Sequence, residues 1–318
     1  MENLIFSINA TAPVFLLMVL GYVLKKAGWI NDAFASEMNK FVFRLPLPIM
    51  VFRQLGMTDI AAAWDGKFVL FCFAATLLSI GLVTLISRLA VSEPAKRGEF
   101  IQASYRSSAA LLGIAYITNI YGDAGMTPLM ILGAVPLYNM MAVVVLTVSS
   151  PENKGGSGLD AALIRKTLIG IVKNPIIIGI VAGFAWSLLR IPMPQILDKV
   201  TGNISNLASP LGLIAMGASV DLRKAGGELG SAALATFIKL ILLCAVFLPV
   251  AASLGFRREK LVAIMIMLGS ATTVSSFVMA KNMGHEGTLT STTVVLTTVL
   301  ASFTLTFWIW LTRSLGLI

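Results

Sequence analysis

The chain has 318 residues, of which 57% are hydrophobic and 12% charged, a balance that leaves too little polar surface for a soluble fold of this size. An integral membrane protein is the class that remains. The net charge of +9 does not point to nucleic acid, because the basic residues sit in short loops beside apolar runs and form no aromatic-laced surface.

Ten apolar runs follow one another, near 6–24, 35–54, 68–88, 100–119, 127–149, 167–188, 201–221, 231–253, 261–281 and 289–312. Each is close to the roughly 20 residues that a helix needs to cross about 30 Å of hydrocarbon. The start, MENLIFSINATAPVF, has no basic region ahead of its apolar run, which predicts a retained first helix and no cleaved signal peptide. Arg44 in the second run and Lys173 in the sixth sit near span ends, where long side chains snorkel to the headgroups. Cys72 in the third and Cys244 in the eighth lack metal-ligand spacing and read as small apolar core residues.

The fourth run contains SYRSSAALLG, with Arg106 set among small and hydroxylated residues. Two readings compete. A guanidinium presents a planar fork of donors suited to a carboxylate and stays charged, so Arg106 is a candidate anion-binding residue. The other reading is a snorkelling arginine, seven residues beyond Glu99 and about 10 Å along a helix from the cytoplasmic end. After the fifth run, SSPENKGGSG, Ser149 to Gly158, is polar and flexible, and 149–164 reads as a cytoplasmic linker between two five-helix halves, 1–148 and 165–318. Lys239, about eight residues into the eighth run, is in reach of Asp221 as a structural pair. The ninth run holds LGSATTVSSF, again rich in small and hydroxylated residues, and His285 in MGHEG reads as a solvated loop residue.

All fifteen acids fall in loops, tails or span ends, which disfavours proton coupling through a deep carboxylate. No cofactor or metal site is expected. Coupling to sodium through hydroxyls and carbonyls, and uniport, both stay open. With alternate loops on alternate sides, twelve basic residues fall on one face and eight on the other, so the positive-inside rule places both termini outside the cell membrane.

Sliding the chain along itself by 162 residues brings Pro13 onto Pro175, Gly21 onto Gly183, Pro48 onto Pro210, Asp59 onto Asp221 and Ser108-Ala109 onto Ser270-Ala271. Five spans per copy is an odd number, so the second copy enters the membrane from the opposite side. Matching small-polar segments in inverted halves are where transporters unwind helices and expose backbone groups and half-helix ends to a ligand. The mate of Arg106 is Leu268, so the arginine breaks the two-fold symmetry.

GYVLKKAGWI after the first span, NKFVFRLPLPIMVF, SYRSSAALLGI, KNPIIIGIVAG, NLASPLGLIAMGASVDL and TTVSSFVMAKNMG together resemble the auxin efflux carrier family over nearly the whole chain. The likeness is to its bacterial members, and more distantly to plant PIN carriers, whose long cytosolic loop is absent. The resemblance implies an all-α fold of ten transmembrane helices in two inverted repeats, like that of bile-acid/sodium symporters, with spans four and nine broken where they cross. It implies a dimerising scaffold of spans 1, 2, 6 and 7, a mobile transport domain of spans 3–5 and 8–10, and organic anions such as malate or malonate as substrates. By position, Arg106, Ser107, Ser108, Gly269, Ser270, Thr272, Thr273 and Ser275 line the site it implies. The crossover proline of many relatives is missing from both YRSSAA and SATTVSS.

The expected function is therefore elevator-type transport of a small organic dicarboxylate or an auxin-like acid by a homodimer in the lipid bilayer. Sodium-coupled symport of a larger amphipathic acid, and a membrane sensor that binds without translocating, are the rivals. An intramembrane enzyme has least support, since no His, Cys or carboxylate constellation falls at mid-membrane.

Overall fold

A computed structural model describes residues 2–57, 64–149, 165, 169, 172–173, 175–219 and 228–318. Among these the fold is all-helical, with one isolated β-bridge. The helices are α1 (Glu2–Lys26), α2 (Asp32–Arg44), α3 (Pro46–Gly56), α4 (Gly66–Ala90), α5 (Pro94–Tyr105), α6 (Ala109–Tyr121), α7 (Thr127–Val148), α8 (Pro175–Leu189), α9 (Gln195–Asn206), α10 (Ala208–Ala218), α11 (Leu229–Ser253), α12 (Arg258–Gly269), α13 (Val274–Asn282) and α14 (Thr288–Ser314). Four of them, α4, α7, α11 and α14, are long and apolar enough to cross a membrane. Asp59, Asp221 and nearly all of the 149–164 linker lie outside the described residues.

Two runs expected to be continuous spans are interrupted. The second stops at Arg44 and resumes at Pro46, and the seventh stops at Asn206 and resumes at Ala208. Proline explains both. The ring of Pro48 clashes with the carbonyl four residues back, that of Arg44, and Pro210 does the same to Asn206. The intervening residues, Leu45 and Leu207, are mates under the 162-residue offset.

Reciprocal packing carries the same offset. Helices α1 and α10 lie against each other, as do α3 and α8. A Cβ on Gly21 would meet the Ile214 carbonyl oxygen at 2.0 Å, and one on its mate Gly183 would meet the Phe52 oxygen at 2.6 Å. Phe52 and Ile214 are themselves mates. Between apolar helices in lipid no hydrophobic force drives association, so close backbone approach at small residues supplies the contact. Cys72 and Cys244 are free and buried in the core, while Arg44 and Lys173 are exposed.

Candidate functional site

The fourth and ninth apolar runs break where they meet. Helix α5 ends at Tyr105 and α6 begins at Ala109; α12 ends at Gly269 and α13 begins at Val274. Arg106 (φ −78°, ψ 120°) and Ser270 (φ −81°, ψ 166°) are extended, and Ser107 and Thr272 form an antiparallel bridge. The second break begins two residues, and ends three residues, later than a uniform 162-residue offset would place it.

No proline makes these breaks, so the freed backbone groups need other partners, each costing several kcal/mol if left bare in hydrocarbon. Hydroxyls supply most of them. Thr272 Oγ1 donates to the Ala103 oxygen at 2.7 Å, Ser107 Oγ and Tyr138 OH both donate to the Met267 oxygen, and the Thr272 amide donates to Thr297 Oγ1 at 3.1 Å. Ser108 N donates to the Ala271 oxygen at 2.9 Å, joining the two crossings directly.

Arg106 does not snorkel. It is 3% exposed, and its guanidinium donates to Asn139 Oδ1 at 2.8 Å, to the Met279 sulfur at 2.9 Å and to Ser275 Oγ at 3.5 Å. Every one of these partners is neutral. Among the described residues no carboxylate pairs with it. A buried cation without a counter-ion is expensive.

The arginine opens on a cavity of about 50 Å³, where one water needs roughly 10–15 Å³ on the same measure. The cavity lies at the N-terminus of α6. The first-turn amides of Ala109, Ala110 and Leu111 have no carbonyl four residues back to reach within the helix, and Ser108 offers no side-chain cap, so positive partial charge faces the cavity. Phe43, Leu47 and Ile176, from α2, α3 and α8, add apolar lining.

Of the residues expected from sequence, Arg106, Ser107, Ser108, Thr273 and Ser275 line this cavity. Gly269, Ser270 and Thr272 are not among its lining. Gly269 packs on Cys244, where a Cβ would come within 2.5 Å of the sulfur; Thr272 is fully buried as the staple to Ala103, and Ser270, two residues before it, is fully buried too.

Residues 6–309 match the model of the membrane transport protein family. The chain belongs to that family. Similar curated proteins include an "Uncharacterized transporter" of Methanothermobacter thermautotrophicus, 21% identical over 95% of this chain and 97% of that one. Another is a "Putative malonate transporter" of Rhizobium meliloti, 26% identical over 95% of this chain and 94% of that one. The protein is thus a multi-pass membrane transporter of the group that takes in the auxin efflux carriers, and not an enzyme.

Within this membrane transport protein, two site residues escape a span-by-span reading. Asn139 and Tyr138, from α7, hold Arg106 and the Met267 carbonyl. A lone Asn in the apolar run ILGAVPLYNMMAVVVL was the available signal. One expectation is corrected. His285 is not solvated: it is 3% exposed, with Nδ1 3.1 Å from the Ala95 oxygen and Nε2 2.7 Å from the Leu146 oxygen, because its loop folds under the ends of α5 and α7. The expected partner of Lys239, Asp221, lies outside the described residues; Lys239 itself is fully buried, and its contacts among those described are at the helix crossing. Glu99, at its span end as expected, is also buried and accepts from the amides of Gly287 and Thr290 and from the Thr290 hydroxyl, capping α14.

Proposed function

We propose that this transporter carries a small organic dicarboxylate, malonate or malate in kind, by elevator-type alternating access in a chain of ten spans arranged as two inverted repeats. The observation that carries the reading is Arg106: buried, charged, bonded only to neutral groups and facing a cavity that also receives the uncapped start of α6. A carboxylate entering there finds a bidentate donor and free amides. The cavity has room for a few waters' volume, which favours a short acid over a bulky amphipathic one. The malonate name attached to the Rhizobium meliloti relative points to the same class of substrate. The mated breaks at Leu45 and Leu207 and the reciprocal glycine contacts support the repeat, and the placement of the cavity between the crossing and α2, α3 and α8 supports an elevator.

The test is uptake of radiolabelled malonate into proteoliposomes. Arg106→Ala is expected to abolish it and Arg106→Lys to retain a residual fraction, with both variants reaching the membrane at wild-type levels. Wild-type uptake by Arg106→Ala would remove the anion-site role.

A further inference from the structure

Lys239 lies on a five-residue π-helical turn, Ile238–Leu242, inside α11. Such turns insert one extra residue and turn a side chain out of its ordinary helical direction, often at functional positions. Within the turn the Leu240 carbonyl accepts from the indole of Trp308 at 2.9 Å, so the turn is braced. The Lys239 ammonium lands between the two broken helices. It donates to the oxygen of Tyr105, the last residue of α5, at 3.3 Å, to the oxygen of Leu268, next to last in α12, and to Ser107 Oγ.

Those acceptors specify charge. An ammonium has three donors and no acceptor, matching three oxygens. The two carbonyls only accept, and the one hydroxyl proton of Ser107 goes to the Met267 oxygen, so Ser107 meets Lys239 as an acceptor too. Among the described residues no carboxylate pairs with Lys239. What neutralises it is the negative end of two helix dipoles. Half-helix C-termini and unwound carbonyls at a crossing are the groups with which transporters hold a coupling sodium ion.

We propose that Lys239 is a tethered cation occupying a latent monovalent-cation site, and that its presence makes the transporter independent of sodium. The site consists of the Tyr105 and Leu268 carbonyls and Ser107 Oγ; removing the ammonium leaves these oxygens for a free cation with water completing its shell. The independence from sodium rests on the transport reading above. The site itself does not, so the two fail separately.

The experiment is thermal unfolding of purified protein in detergent at constant ionic strength, exchanging choline chloride for sodium chloride, with lithium and potassium chloride in parallel. Wild type and Lys239→Arg are expected to melt at the same temperature in every salt. Lys239→Ala is expected to melt lower in choline and to recover saturably with sodium, by roughly 2–4 °C. Equal melting of Lys239→Ala in sodium and choline, or saturable sodium stabilisation of the wild type, would overturn the proposal. If Lys239→Ala yields folded protein only when purified in sodium, that is the same rescue. If it folds in neither salt, Lys239→Met, which keeps the side chain's length and removes the ammonium, is carried through the same salt series with the same two outcomes.

Discussion

Arg106 and Lys239 face opposite problems with the same charge. Lys239 is matched to carbonyls and a hydroxyl that accept all three of its protons, whereas Arg106 keeps neutral company and opens on space. A fixed acid beside Arg106 would do permanently what a substrate carboxylate does transiently. Asn139→Asp supplies that acid at the position of the present 2.8 Å hydrogen bond. Malonate uptake is expected to fall at least about tenfold, corresponding to about 1.4 kcal/mol of competing interaction, while the melting temperature does not fall, because a buried cation has gained a counter-ion. Parallel measurements of initial rate and melting on one preparation check this. Undiminished uptake would show that Arg106 does not receive the anion.

At the scale of helices, backbone geometry was legible wherever proline or glycine dictated it, and obscure where side chains from elsewhere did. Pro48 and Pro210 place the stops at Arg44 and Asn206 through the carbonyl four residues back, yet hydropathy sums through such a stop and reads one span. The breaks at Arg106 and Ser270 have no such local cause. They depend on Tyr138, Lys239 and Thr297, which sit in three other helices, and a one-dimensional pattern does not carry those contacts. The same limit explains the candidate site: polar residues inside an apolar run marked Arg106, Ser108, Thr273 and Ser275, but the lag of the second break turns Gly269 and Thr272 toward packing. The glycine contacts make the proposed duplication testable. Gly21→Ala puts a methyl 2.0 Å from a backbone oxygen, Gly183→Ala puts one at 2.6 Å, and Gly81→Ala meets nothing within 4 Å. The first two are expected to lose about 1–3 kcal/mol of stability through overpacking, seen as a lower melting temperature in detergent, with Gly81→Ala unchanged. Retention of wild-type melting by both mates would mean that the two helix pairs do not depend on close approach.

Over the whole molecule, the cavity wall is drawn from two sets of helices, α2, α3 and α8 and the crossing with α7. An elevator requires those sets to slide past each other, so any contact between them in this conformation is broken in the opposite one. Leu111 and Gly212 make such a contact. A Cβ on Gly212 would lie 2.9 Å from the Leu111 side chain, and Gly212 belongs to α10, which packs on α2 and α3 and so goes with their set. Leu111→Cys removes the obstructing methyl groups, and Gly212→Cys then places a second thiol within reach of the first. The native thiols, Cys72 and Cys244, are buried away from solvent. Oxidation of the double variant is expected to stop malonate flux, reduction to restore it, and neither single variant to respond. Because a sensor that binds without translocating needs no sliding, malonate binding to the cross-linked protein, followed by thermal stabilisation, separates a blocked elevator from a lost site. Binding retained with flux abolished is the elevator's signature, and unimpeded flux through the cross-linked protein excludes it.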